Sequence, residues 1–261
     1  MPRLRARAAF VGAVLVLVAS WLPSARAAES SDPVVRLLFV GNSYTRLNEL
    51  PRMVRRLAAS IPNGRRVRSH FAFGAGATLE WHWEQGGVLR RMRWGGYSHI
   101  ILQGHSLAAL ERPDSLMRDA RRFAEEAREI GARTILLQTW ARKEGHELYR
   151  KQGMPKSPEA MQARTNAVYE TAARGEEAKI APVGVAWQRA LRQRPDLRLH
   201  RPDGSHPTLR GSYLAACVLY LAIVPDADLA SASYHPEEID EAEAELLRDI
   251  AAATVRESEA H

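Results

Sequence analysis

The chain has 261 residues, 46% of them hydrophobic, which is enough apolar material for one sizeable core. Its formal net charge is +7, but the basic side chains are scattered and lack the interleaved aromatic residues of surfaces that stack nucleic-acid bases. The lone cysteine, Cys217, excludes an intrachain disulfide, and its apolar neighbours predict a small buried residue. These properties favour one globular domain that does not bind nucleic acid.

The first residues have the pattern of a secretory signal peptide. Arginines precede an apolar stretch over residues 8–22, and Ala25-Arg26-Ala27 has small residues where a signal peptidase reads them. A membrane anchor is the alternative, but the apolar run is shorter than the ~20 residues that span a bilayer. We therefore expect residues 1–27 to be a signal peptide and residues 28–261 to be a single domain. That domain would be exported, periplasmic or secreted, with a formal charge of +3 after the loss of four arginines and no stable membrane anchor.

Apolar strand-like runs alternate with amphipathic stretches along the rest of the chain. We predict strands over 34–40, 67–73, 98–102, 134–139 and 179–183, and helices over 49–59, 113–130, 158–174, 186–194, 208–222 and 236–257. Residues 142–157 are polar and are expected to form an irregular loop. Because strands and helices alternate, the pattern predicts a parallel sheet with helices on both faces.

Two short motifs supply the side chains of a nucleophilic site. Gly41-Asn42-Ser43-Tyr44-Thr45 follows the first predicted strand, and Asp203-Gly204-Ser205-His206-Pro207 precedes a predicted helix. A serine hydroxyl becomes a good nucleophile when a histidine takes its proton and a carboxylate fixes the histidine tautomer. The spacing of Asp203 and His206 allows the carboxylate to lie beside one imidazole nitrogen while the other faces Ser43.

Two more segments follow predicted strands at the points where those strands end. Gly74-Ala75-Gly76-Ala77-Thr78 follows the second strand, and Gln103-Gly104-His105-Ser106 follows the third. The carboxyl ends of parallel strands meet at one edge of a sheet, where functional residues collect. We therefore expect both segments to lie near Ser43, with residues 203–206 reaching the same edge from a late loop.

The order of these motifs resembles that of the SGNH (GDSL-like) hydrolases, and the Gly-Asn-Ser form resembles a bacterial branch of that superfamily. The resemblance extends over residues 35–224. It implies a flavodoxin-like three-layer α/β/α sandwich with a central parallel sheet, and a serine hydrolase that forms an acyl-enzyme. Ser43 would be the nucleophile, His206 the general base and then general acid, and Asp203 its orienting partner.

The oxyanion site is where this chain departs from the resemblance. The backbone N–H groups of Ser43 and Gly76 would be two donors, but many members supply a third from Gly-x-Asn-Asp. This chain has Gln103-Gly104-His105-Ser106 instead, which resembles the Gln-Gly-Glu block of some carbohydrate acetylesterases. A side-chain amide can replace the asparagine because the requirement is a donor about 3 Å from the developing charge. Gln103 is the first candidate and Ser106 the second.

Other side chains near the motifs are candidates for lining a substrate pocket. Trp81 or Trp83 would offer a flat surface to a sugar ring or acyl chain, although a packed aromatic helix over residues 80–83 is the alternative interpretation. The full set of possible lining residues is Asn42, His82, Trp83, His105 and Ser106. His200, Asp203 and His206 could be read as zinc ligands, but their spacing matches no familiar zinc-ligand pattern. We therefore predict no metal and no cofactor.

These patterns together predict an exported serine esterase that acts on a small-molecule or glycan ester. The Gln-Gly block and the export signal favour a short-chain acyl ester, such as an acetyl ester, on a carbohydrate or envelope glycan. Two alternatives stay open: an exported O-acyltransferase that passes the same acyl group to a sugar hydroxyl, and a glycan-binding protein of this fold without activity. The sequence carries no signal for the oligomeric state.

Overall fold

A computed structural model describes residues 34–174 and 178–259 of the chain. The predicted signal peptide lies outside the described residues. The strands are β1 (Val35–Gly41), β2 (Val67–Phe73), β3 (His99–Leu102), β4 (Arg133–Leu137) and β5 (Lys179–Ala181). The helices are α1 (Ser43–Arg46), α2 (Leu50–Ser60), α3 (Leu79–Glu84), α4 (Gly87–Gly95), α5 (Ala108–Glu111), α6 (Pro113–Glu129), α7 (Pro158–Arg174), α8 (Val183–Gln193), α9 (Leu209–Ile223) and α10 (Glu241–Glu259).

The five strands form one parallel sheet in the order β2-β1-β3-β4-β5. Strand β1 pairs with β2 on one side and with β3 on the other, and Leu37 of β1 is in register with His99 of β3. The strand order therefore reverses direction beside β1. In open α/β sheets, ligands bind outside the carboxyl ends of the strands at such a switch point. The predicted parallel sheet is confirmed, and its switch point lies where β1 leads into Ser43.

Separate helix layers cover the two faces of the sheet. Successive side chains of a strand point to opposite faces, so Leu37 and Phe39 pack with α2, α8, α9 and α10. Leu38 and Val40 pack against the other layer, formed by α3, α4, α6 and α7. The result is the three-layer α/β/α sandwich that the sequence predicted. Helix α9 is apolar all round because it is buried on every side, and burial raises the pKa of its Cys217 thiol to about 12.

Several predicted boundaries differ from the structure for identifiable reasons. The last helix begins at Glu241 instead of Pro236, because residues 236–239 form a turn and the Asp240 side chain caps the helix by accepting from Glu243 N at 2.8 Å. Strand β5 ends at Ala181 because the next residue, Pro182, has no backbone N–H to donate. Strand β4 ends at Leu137, two residues before the predicted end.

Some local structure was absent from the sequence prediction. The sequence pattern predicts no helix at α1, α4 or α5, and it predicts α3 only through the alternative of a packed aromatic helix over residues 80–83. The predicted irregular loop at 142–157 contains a 3-10 turn, Glu147–Arg150, whose Leu148 and Tyr149 are buried in a small core with Met161. Within the described ranges, no helix combines the length and apolar character that crossing a membrane requires.

Candidate active site

The loop after β1 holds Ser43 at the first position of helix α1. The side chain of Asn42 caps this helix, because its Oδ1 accepts from Tyr44 N at 3.2 Å. Gln103 holds the loop through two hydrogen bonds: its Oε1 accepts from Asn42 N at 3.0 Å and from the Thr45 hydroxyl at 3.1 Å. A Cβ at Gly41 would lie 2.8 Å from that same oxygen. The loop therefore requires glycine at this position to approach Gln103.

Ser43, His206 and Asp203 form one continuous hydrogen-bonded series. Nδ1 of His206 lies 2.6 Å from Oδ2 of Asp203, and Nε2 lies 3.0 Å from Oγ of Ser43. With its Nδ1 proton donated to the carboxylate, the ring accepts the Ser43 hydroxyl proton at Nε2. The structure thus brings together the three side chains that the two sequence motifs predicted, in the order that proton transfer from serine requires.

Asp203 is held in its ionised form. Burial opposes ionisation, but hydrogen bonds from the His206 ring and from the backbone amides of Ser205 and His206 outweigh it and lower the pKa of Asp203 to about 2. Both amides donate to Oδ1 at 2.9 Å, which leaves Oδ2 for the imidazole. The tight turn that sets this geometry includes Gly204, whose φ of +66° is in the left-handed region.

We expect the Asp203 carboxylate to stabilise the fold only while it is ionised. Because its pKa is lowered from 3.8 to about 2 in the folded chain, its contribution is complete above about pH 5 and is lost as the pH falls from about 4 to 2. Urea unfolding of the parent and of Asp203→Asn should give a difference in unfolding free energy that shrinks as the pH falls below about 4. A difference that does not change over the whole range would contradict this role.

The glycine loop after β2 lies beside the Ser43 loop. Nδ2 of Asn42 donates to the Ala77 carbonyl at 3.0 Å, and Gly74 N donates to the Gly41 carbonyl at 3.2 Å. Gly76 has a φ of +61° and open space where a Cβ would stand. Among the described residues, neither Ser43 N nor Gly76 N has a hydrogen-bond acceptor. Two unused amide donors therefore sit on adjacent loops, as the predicted oxyanion site requires.

The aromatic segment after the glycine loop forms helix α3, and its rings differ in exposure. His82 is 2% exposed and its Nε2 lies 2.9 Å from the Gly41 carbonyl, and burial lowers its pKa. Trp83 is half-buried and packs edge-on against Phe123 of the core. His82 therefore belongs to the packed helix of the alternative interpretation and does not line a pocket, whereas the place of Trp83 on the pocket wall stays a prediction. Trp81 is 42% exposed beside the glycine loop.

The segment after β3 differs from the prediction in the direction of Gln103. This side chain is buried, and its amide donates to the Gly104 carbonyl in the same loop while its oxygen holds residues 42 and 45. These contacts hold the nucleophile loop and turn the amide toward protein backbone. His105 is half-buried, its Nδ1 lies 3.4 Å from Leu107 N, and burial lowers its pKa. The hydroxyl of Ser106 accepts from Arg142 at 3.0 Å.

An aromatic stack beneath His206 was missed by the sequence analysis. Tyr44 stacks on Trp140 with ring centroids 4.5 Å apart, and Trp140 stacks on Trp187 at 4.2 Å. The Tyr44 ring packs edge-on against the His206 imidazole, with ring centroids 5.4 Å apart. Trp140 Nε1 donates to the Ser205 carbonyl at 3.0 Å. The stack therefore supports the turn that carries His206. The only sequence signal was the position of Trp140, just past the fourth strand.

Asn48 fastens the histidine segment from the opposite side and was also missed. Its Nδ2 donates to the Pro207 carbonyl at 3.2 Å and to the Ser212 hydroxyl at 2.8 Å. Asn48 reaches both because its backbone is left-handed, with a φ of 57°, a conformation that asparagine adopts more readily than most residues. The segment after β1 therefore holds both Ser43 and the loop of its histidine partner.

The described fold is similar to solved structures of SGNH hydrolases. A protein from Slackia heliotrinireducens, provisionally classed as an SGNH hydrolase, is 27% identical with a TM-score of 0.63, over 73% of this chain and 100% of that one. A DUF4886 family protein from Bacteroides uniformis is 20% identical with a TM-score of 0.71, over 85% of this chain and 95% of that one. An acetylxylan esterase from Geobacillus stearothermophilus shares the fold at 14% identity and a TM-score of 0.54, over 77% and 97%. No protein-family model and no curated protein sequence matches the chain.

The fold and these similarities together define the class of protein. The chain belongs to the SGNH/GDSL-like hydrolase superfamily, which the order of its motifs predicted. It is an SGNH-type hydrolase.

Proposed function

We propose that this protein is an exported serine esterase that removes short acyl groups, acetyl above all, from a carbohydrate or envelope glycan by way of an acyl-enzyme. The observation that carries the proposal is the hydrogen-bonded series from Ser43 through His206 to Asp203, beside two unused backbone amides. Such a series activates a serine, and such amides stabilise an oxyanion. The arginine-rich, apolar N-terminal pattern supports export.

The proposed reaction has two halves. Ser43 Oγ attacks the ester carbonyl carbon while its proton passes to His206 Nε2, and the carbonyl electron pair moves onto the oxygen, which the amides of Ser43 and Gly76 hold. When the carbonyl re-forms, the bond to the alcohol oxygen breaks and that oxygen takes the proton from His206. Water then attacks the acyl-Ser43 ester in the same way, and an acid and free Ser43 are released. Asp203 keeps the imidazole in one tautomer throughout.

The surroundings of Ser43 support a short acyl group and a sugar-like alcohol. The residues that flank Ser43 contact Gln103 and Arg142, both buried and polar, and Arg142 also binds the half-buried Ser106, a set that would line a long alkyl chain poorly. On the open side, the ring of Trp81 lies against Gly74, where a Cβ would be 2.7 Å from it. An exposed aromatic face beside the glycine loop is suited to stacking on a sugar ring. An acetylxylan esterase has the same fold, which supports an acetylated sugar as the substrate.

Hydrolysis assays with a matched serine control test the proposal. Protein purified after export of the full chain should release nitrophenol from nitrophenyl acetate faster than from nitrophenyl octanoate, and acetate from acetylated xylooligosaccharides. Ser43→Ala should abolish both activities. Ser233→Ala changes an exposed side chain in the loop before α10 and should keep them. Trp81→Ala should raise KM for the oligosaccharide and leave nitrophenyl acetate hydrolysis unchanged.

Three outcomes would overturn parts of this proposal. Equal rates in the parent and in Ser43→Ala would exclude a serine esterase and favour a binding protein. Transfer of acetyl groups to an added sugar, in place of acetate release, would establish the acyltransferase. A preference for octanoyl over acetyl esters would exclude the short-chain substrate.

A further inference from the structure

The third oxyanion donor is the one part of the proposed site that the predicted residues leave open. Gln103 was its first candidate, but its amide donates to the Gly104 carbonyl and its oxygen holds the Ser43 loop. Ser106 occupies the place in the chain where the resembling block of the superfamily has asparagine, two residues after Gly104. Its hydroxyl is half-buried on the edge of the sheet where β1 and β3 end.

The hydroxyl of Ser106 is oriented by Arg142. Nη2 of Arg142 donates to Ser106 Oγ at 3.0 Å, so the guanidinium uses a lone pair of that oxygen. A hydroxyl has one proton to donate, and the proton must point away from the group that donates to its oxygen. Arg142 therefore leaves the Ser106 proton free for another acceptor and polarises the O–H bond.

The charge of Arg142 has only neutral partners in the described part of the chain. Its side chain is 7% exposed, and its contacts are the hydroxyls of Ser106 and Tyr44 and the face of the Tyr44 ring. No described carboxylate forms an ion pair with it; Asp203, the acid of the site, is engaged by His206. A buried charge is costly without an opposite charge. Negative charge that develops next to Ser43 would supply one at the moment of reaction.

We propose that the Ser106 hydroxyl is the third donor to the oxyanion and that Arg142 is its positioning residue. Arg142 orients and polarises the hydroxyl, and its uncompensated charge favours the tetrahedral intermediate over the neutral ester. The pair replaces the missing asparagine amide with a hydroxyl that a cation activates. This inference rests on the proposed esterase function, and it assigns Gln103 to holding the nucleophile loop.

A double-mutant cycle on nitrophenyl acetate hydrolysis tests the pair. Ser106→Ala should lower kcat about 10²-fold with KM changed less than about threefold, because the contact forms only in the transition state. Arg142→Met should lower kcat by a similar factor, and the double variant should lose little more than either single variant. Arg142→Lys should recover part of the loss. The affinity for a boronic acid that forms a tetrahedral adduct should fall in parallel with kcat.

A second buried arginine supplies the control for a structural effect. Arg248 is 3% exposed, donates to the Tyr213 hydroxyl at 3.2 Å and forms an ion pair with Glu241, and it contacts none of the proposed site residues. Arg248→Met removes a buried arginine outside the proposed site, so it should leave kcat unchanged.

The outcomes separate the inference from the function on which it rests. If Ser43→Ala is inactive while Ser106→Ala keeps kcat within about threefold of the parent, the esterase stands and the inference is wrong. If the fold-losses of kcat in Ser106→Ala and Arg142→Met multiply in the double variant, the two residues are not coupled and the inference is also wrong. If the parent and Ser43→Ala do not differ, both the function and the inference fail.

Discussion

Replacing Ser43 by alanine is expected to lower kcat for nitrophenyl acetate by about 10⁴- to 10⁶-fold, the loss that serine hydrolases of this kind show without their nucleophile. The reason is that Oγ, 3.0 Å from His206 Nε2, is the atom that would form the acyl-enzyme. The protein should keep its fold, because the loop is held by the side chains of Asn42 and Gln103 and not by the Ser43 hydroxyl. Stopped-flow measurement of the nitrophenol burst, which the variant should lack, checks this result.

The same logic predicts that losses at Ser43 and His206 do not add. His206→Ala alone should cost nearly as much as Ser43→Ala, and the double variant should be no slower than Ser43→Ala, because the two side chains act as one unit. The residual rate would come from the backbone amides of Ser43 and Gly76. A double variant that is slower by the product of the two single losses would contradict a shared proton transfer.

Replacing Trp140 by alanine is expected to lower the free energy of unfolding by about 3–5 kcal/mol, the cost of truncating a large buried aromatic side chain. Trp140 is 1% exposed and lies between the rings of Tyr44 and Trp187. The loss of its hydrogen bond to the Ser205 carbonyl should also lower kcat, since the turn that carries His206 loses its support. Urea unfolding followed by circular dichroism, with kinetics on the folded variant, measures both effects.

The chain offers a matched control for this prediction. Trp94 is 85% exposed, so Trp94→Ala should change the free energy of unfolding by no more than about 0.5 kcal/mol. Trp140→Phe keeps a stacked ring but removes the N–H donor and part of the ring volume, and it should cost about 1–3 kcal/mol. Equal losses in Trp140→Ala and Trp94→Ala would show that the aromatic stack does not support the fold.

The parts of this protein that could be predicted from sequence are those with local signals. The strand before Ser43 is a continuous apolar run, as a strand buried on both faces must be, and its bounds were predicted to within one residue. Asp203 and His206 are close in sequence, so their hydrogen bond needs only one turn. The resemblance in motif order to the SGNH hydrolases then predicted that this turn acts with Ser43, and the structure places the three side chains in contact.

What could not be predicted depends on contacts between distant segments. The direction of Gln103 is set by Asn42 N and the Thr45 hydroxyl, about sixty positions earlier, which no local pattern reveals. Nothing in the sequence distinguishes Arg142 from the other arginines, because its contacts with Ser106 and Tyr44 are visible only in the structure. Helix α4 begins and ends with glycine, a residue that disfavours helices, so propensity argued against it.

The anchoring of the His206 turn has a consequence for the order in which the chain gains activity. Ser43 and His206 are 163 positions apart, and the clamp from Asn48 reaches Ser212 in α9, later still. Synthesis runs from the amino terminus, so β1 and the nucleophile exist long before the base that activates them. The proposed ester cleavage can therefore begin only when the chain through α9 has emerged and α9 has docked on the sheet. A product truncated before His206 would be inert, so the appearance of hydrolysis would report that β1 and α9 have come together.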